Sequence, residues 1–121
     1  LRNTHILKTI PDLVATIKPS TRIITAETAA QEISANRGLL IDVREPAECE
    51  QIVAANSINI PRGLLEMKML DFEKDAKRPI YLHCASGIRA IFAAEQLARV
   101  GYENVTVISC PMPILSQTNF G

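Results

Sequence analysis

The sequence predicts an α/β fold, a layered domain built on a mostly parallel central sheet. Three observations carry that expectation. Segments of strand and helix character alternate from Ser20 onward. Leu39, Leu40 and Ile41 are consecutive and apolar rather than alternating with polar residues, so their strand must be covered on both faces, as in a parallel sheet. Between Arg89 and Val100, residues Ala90, Ile91, Ala93, Ala94, Leu97 and Ala98 gather on one side of a helix that Gly101 ends, a face suited to lie on such a sheet.

Taken in order, residues 1–20 form a helical extension ahead of a domain over 21–121. Ile6, Leu7, Ile10, Leu13, Val14 and Ile17 make an apolar helical stripe, which Pro11 either starts or kinks and Pro19 closes. Packing against the domain itself is the plain use of this stripe; a protein partner or self-association is another, and a membrane surface, with only Lys8 and Lys18 as cations after Arg2, the weakest. Arg22–Ile24 reads as a short strand, and Thr25 caps a helix from Ala26 to about Ala35, with Glu27 in its first turn. Strand Leu39–Val43 and a short helix from Pro46 to about Gln51 follow. Next come a short strand Ile58–Ile60, a short helix Gly63–Met69, a charged connection Asp71–Lys77, strand Pro79–His83, helix Arg89–Val100 and strand Val105–Ile108.

With 121 residues, 47% of them apolar, one domain is expected, able to bury roughly two thirds of its unfolded surface. Thirteen basic residues balance thirteen acidic ones, so nothing in the total charge suggests nucleic acid. The absence of Trp, with two Tyr and three Phe, argues against base-stacking or sugar-binding platforms. Apolar runs fall far short of the roughly 20 residues of a membrane span. Three cysteines, Cys49, Cys84 and Cys110, at wide spacing with no C-x-x-C, suit reduced thiols and match no zinc pattern. A cytoplasmic location is the expectation. Asn104–Val105–Thr106 has the form of a glycosylation acceptor, read as chance without a signal peptide.

The chemistry concentrates in Cys84–Ala85–Ser86–Gly87–Ile88–Arg89, between a strand and a helix. In an open α/β sheet ligands bind beyond the carboxyl ends of the strands, and a helix N-terminus there turns free N–H groups toward an anion. Gly87 permits the cradle's backbone, and Arg89 adds positive charge beside a thiolate able to act as nucleophile. Cys49 and Cys110 lack such a loop and read as structural, with a resolving thiol the lesser reading of Cys110.

These residues resemble a family. Ile41–Asp42–Val43–Arg44–Glu45–Pro46–Ala47–Glu48, Ser57–Ile58–Asn59–Ile60–Pro61, His83 to Arg89 and Gly101–Tyr102–Glu103–Asn104–Val105 look like the successive signatures of a single-domain rhodanese, a thiosulfate sulfurtransferase homologue. The resemblance runs from about Ile23 to about Met112. It implies a rhodanese-like domain with a five-stranded, mostly parallel sheet and helices on both faces. It also implies a persulfide carried on Cys84, held by the amides of Ala85, Ser86, Gly87 and Ile88, with Arg89 assisting. Thiosulfate would be a small donor and a thiol or cyanide-like nucleophile the acceptor, with no metal or organic cofactor. The family's paired glycines after the last strand are replaced by Cys110–Pro111, and its usual serine after the loop arginine by Ala90.

Around the loop, Asp42 and Arg44 end a neighbouring strand, either as an ion pair or as a loop-orienting carboxylate with a cation for substrate. Arg62 is a candidate anion-attracting group, and His83 is expected to point into packing. A tyrosine-phosphatase-like loop is the runner-up function, but it places five residues between Cys and Arg where this chain has four. A third reading is a non-enzymatic sulfur carrier or interaction module.

Overall fold

The computed structural model describes residues 6–121; residues 1–5 of the expected extension over 1–20 lie outside them. Five strands form one wholly parallel sheet in the order β1-β5-β4-β2-β3, namely β1 (Arg22–Ile24), β2 (Leu39–Asp42), β3 (Ile58–Asn59), β4 (Ile80–His83) and β5 (Val105–Ile108). The helices are α1 (Ile10–Ile17), α2 (Ala26–Asn36), α3 (Pro46–Cys49), α4 (Leu65–Phe72), α5 (Ile88–Arg99) and α6 (Met112–Gln117).

Alternation along the strands separates two cores. Ile41, Val43, Ile80, Leu82 and Val107 pack with Ile17 of α1, Leu65 and Met69 of α4, and Ala90, Ala93 and Leu97 of α5. Leu40, Tyr81 and Ile108 face the other way, onto Ala26 and Ala29 of α2 and Met112 and Leu115 of α6. Both faces of Leu39–Ile41 are thus covered, the condition their continuous apolar run anticipates. One close approach needs a glycine: a Cβ on Gly38 would stand 2.6 Å from the Tyr81 ring, whose hydroxyl donates to Glu32 at 2.7 Å and accepts from Asn36 at 2.9 Å.

Thr9 caps α1 by accepting from the Asp12 N–H at 3.1 Å, so the helix begins one residue before Pro11, in the first turn where proline costs no hydrogen bond. Only part of the apolar stripe is used. Ile17 is buried and Val14 packs beside it, whereas Ile6, Leu7 and Ile10 are 81%, 91% and 49% exposed.

Two elements differ from the sequence reading. The helix expected at Gly63–Met69 starts later, after a 3₁₀ turn at Arg62–Leu64, and runs to Phe72, because burial of Leu65 and Met69 one turn apart sets its inner face. It thereby absorbs the start of the charged connection. Helix α6 was not anticipated, since Pro111 and Pro113 disguise it; both lie at its N-terminal end, as cap and first-turn residue, where their missing N–H groups are not needed. No helix among the described residues is long and apolar enough to cross a membrane.

Candidate active site

All five strands run the same way, so their carboxyl ends share one edge, and β4 delivers Cys84 there. Gly87 is the N-cap of α5 with φ +97°, a left-handed conformation that an L side chain rarely adopts. A Cβ at Gly87 would meet nothing within 4 Å, so the constraint is in the backbone and not in packing. That conformation turns the Gly87 N–H onto the Cys84 Sγ at 3.0 Å. Cys84 is 1% exposed, while Ala85, Ser86 and Ile88 stand out in solvent around it. Sulfur therefore lies under the rim of a short loop, at the positive end of a twelve-residue helix.

Arg89, in the first turn of α5, is held from the side. Its Nη1 and Nη2 donate to Oε1 and Oε2 of Glu48 at 2.6 and 2.9 Å, a parallel fork between α5 and α3. Glu48 also accepts from the Glu45 backbone N–H at 3.0 Å across the first turn of α3. The Arg89 fork first, and then this backbone bond, hold the Glu48 carboxyl down at about 2. Glu48 was not singled out in the sequence; the only local signal is the Glu45-x-x-Glu48 spacing of a helix start.

Asp42 and Arg44 form a wholly enclosed pair behind this loop. Arg44 Nε and Nη2 donate to Asp42 at 3.0 and 2.7 Å, and Nη2 also reaches the Ile52 carbonyl at 2.7 Å. Burial pushes the Asp42 carboxyl up, but the Arg44 hydrogen bonds outweigh it and leave the group below its ordinary value. Asn59 of the edge strand β3, also missed in the sequence, donates to the carbonyls of both Asp42 and Arg44 at 3.0 and 2.8 Å and fixes the turn between them. Arg62 follows β3; its N–H bonds the Val43 carbonyl at 3.0 Å, and its guanidinium is forked on Glu66, at 2.8 Å on the shorter arm.

The other thiols lie elsewhere on this edge. Cys49 Sγ donates to Asp42 at 3.5 Å, and burial followed by the Asp42 charge raises its thiol. Cys110 Sγ accepts from the Ala26 N–H at the start of α2 at 3.2 Å. His83 sits one residue before Cys84, directly across from Asp42 in the sheet register, fully buried, with no partner for either ring nitrogen. Desolvation, partly opposed by Asp42, takes its imidazole down to about 4.

The structure thus gathers Cys84, the 85–88 loop and Arg89 at one point, sets the Asp42–Arg44 pair behind it and puts Arg62 at the next strand end. Four residues span the interval from Cys84 to Arg89, and one of their amides, the Gly87 N–H, bonds the sulfur.

The family model for the Rhodanese-like domain matches residues 25–110. A sulfurtransferase of Allochromatium vinosum is 31% identical over 83 residues, covering 68% of this chain and 76% of that protein. A mitochondrial thiosulfate sulfurtransferase of Saccharomyces cerevisiae is 38% identical over 84 residues, covering 60% of this chain; the chain spans only 56% of its length. Among solved structures, a Rhodopseudomonas palustris protein of unknown function, named a possible tyrosine phosphatase, superposes with a TM-score of 0.76 over 91% of this chain and 90% of its own. At 22% identity that likeness shows the fold alone. Motif order, sheet topology and family match converge, and the chain belongs to the rhodanese-like domain family, whose sulfurtransferases are among its relatives.

Proposed function

We propose that this domain transfers sulfane sulfur by double displacement through a persulfide on Cys84. The Gly87 N–H aimed at Cys84 Sγ carries the reading: a donor fixed 3.0 Å from sulfur at a helix N-terminus stabilises charge on the nucleophile and on sulfur attached to it. In the first step the Cys84 thiolate attacks the outer sulfur of a donor, an S–S bond forms, and the donor's own bond to that sulfur breaks with its electron pair. With thiosulfate, sulfite leaves and charge balances on both sides. In the second step a thiolate or cyanide takes the outer sulfur and returns the Cys84 thiolate. Arg89, held by Glu48, keeps the first turn of α5 in place beneath the loop. Residues 21–121 suffice for this chemistry, with α1 as an added packing layer, and no cofactor enters it.

Intact-mass measurement after incubation with a sulfane donor tests the reading. A gain of one sulfur that cyanide removes is expected for the parent protein and for Cys49→Ser and Cys110→Ser, and none for Cys84→Ser. Sulfur loading on Cys84→Ser equal to the parent's would overturn the assignment. Repeated turnover separates an enzyme from a carrier, and hydrolysis of an activated aryl phosphate without sulfur transfer would favour the phosphatase-like alternative.

A further inference from the structure

Helix α4 buries one face and leaves apolar side chains on the other. Leu65 and Met69, one turn apart, are wholly enclosed, whereas Met67, Leu70 and Phe72 are 67%, 47% and 51% exposed, and Ile58 of the edge strand β3 is 39% exposed. Two grooves run beside this helix. One, of about 550 Å³, is walled by Met67, Leu70 and Lys74; the other, of about 300 Å³, is walled by Ile58, Asn59 and Phe72. Lys68 and Asp71 line both grooves and so form the ridge between them. Both are exposed, stand three residues apart on the helix, and have no ion-pair partner among the described residues. The four apolar side chains flanking this ridge leave on the order of 400 Å² uncovered, a patch of the size at which binding surfaces concentrate on small proteins.

From this surface we infer that α4 is a self-association face whose occupant is a second copy of this chain, packed antiparallel across a two-fold axis that passes between residues 69 and 70. A closed two-fold contact requires a self-complementary surface. The ridge has that property, because Lys68 and Asp71 stand equally far from the axis on opposite sides of it. Lys68 of each copy then lies level with Asp71 of the other, and one axis makes two ion pairs. The flanks keep their sides under the same rotation: Met67 and Leu70 meet their own counterparts along one groove, and Phe72 and Ile58 meet theirs along the other. A foreign partner chosen by charge would call for a ridge of one sign, whereas this ridge carries one charge of each. Thirteen basic and thirteen acidic residues also leave no net repulsion between two copies. The apolar patch is about half of the roughly 800 Å² that each partner gives to a standard interface, so the dimer is reversible, with a dissociation constant on the order of 10–100 µM. No residue of the Cys84 loop takes part, and the inference stands apart from the sulfurtransferase reading.

Sedimentation velocity of the full chain from about 5 to about 500 µM, in about 50 mM salt, tests the inference, and the sedimentation coefficient should rise with concentration to that of a dimer. Met67→Glu should abolish the rise. Lys68→Asp and Asp71→Lys each set like charges against one another at both ends of the contact, and each should weaken the dimer at least about tenfold. The two single variants mixed in equal amounts should pair with each other, since opposite charges then meet at both positions, and the double exchange in one chain should restore pairing to within about threefold of the parent. All these side chains are exposed, so melting temperatures within about 2 °C of the parent are expected and show that each variant is folded. A parent that stays monomeric to 500 µM leaves the face to a different protein and overturns the proposal. So does a dimer that both charge reversals leave unchanged, or mixed single variants that pair no better than either alone. A dimer lost on deleting residues 1–8 but indifferent to Met67→Glu assigns the contact to the exposed Ile6 and Leu7 and likewise overturns it.

Discussion

His83 makes the stability of this protein depend on pH in a window that lies mostly above that of its carboxylates. Its imidazole is wholly enclosed, neither ring nitrogen has a partner, and it holds a proton only below about 4, against about 6.5 in an unfolded chain. Between those values the unfolded chain binds a proton that the folded chain refuses, so stability drains away as pH falls. Above about 6.5 neither state is protonated, and below about 4 both are, so the loss is confined to that interval. At about 1.4 kcal/mol for each pH unit, the whole interval amounts to about 3 kcal/mol, a large part of the 5–15 kcal/mol typical of a domain. Urea unfolding at fixed ionic strength, at several values from pH 7.5 to pH 5, reads the upper part of it. The parent should lose about 2 kcal/mol from pH 6.5 to 5, while His83→Leu should stay nearly flat there. At pH 7.5 the variant should be no less stable than the parent, because leucine removes two buried nitrogens that bond to nothing. Parallel declines in both proteins would refute the reasoning.

Gly87→Ala should cost about 1–2 kcal/mol by thermal or urea unfolding, since φ +97° is a left-handed conformation while the space around a Cβ is open, and should slow Cys84 loading by misplacing the amide on its sulfur. Deleting residues 1–8 should leave stability within about 0.5 kcal/mol of the parent because Ile6 and Leu7 are exposed and the Thr9 cap of α1 is kept. Deleting through Lys18 should cost about 2–4 kcal/mol, through loss of the packing of Ile17 and Val14, yet preserve Cys84 loading. A melting temperature unchanged by the longer deletion would show that α1 contributes no packing.

What could be read from the sequence was local. The junction of Cys84, Gly87 and Arg89 announced itself because a strand, a left-handed glycine and a helix start are all coded within a few residues. The doubly covered β2 was legible in three consecutive aliphatics. Long-range pairing was not: Glu48 meets Arg89 across 41 residues only because β2 and β4 are neighbours in the sheet, an order that periodicity does not record. The same limit explains the N-terminal stripe, whose apolar spacing defines a face but not how much of it a neighbour covers, and Asn59, whose two bonds depend on a strand that joins the edge for only two residues. Helix α6 was hidden for a different reason, since its prolines break a helix in mid-course but are harmless at its beginning.

The depth of Cys84 separates an empty site from a charged one. A thiol that is 1% exposed meets solvent through a narrow opening, so a bulky thiol reagent should label Cys84 more slowly than the half-buried Cys49 and Cys110. In the proposed persulfide a second sulfur would stand about 2 Å from the buried one, where an acceptor can meet it. Loading and unloading sulfur in the proposed cycle would thus move the reactive atom by one bond length without any moving lid.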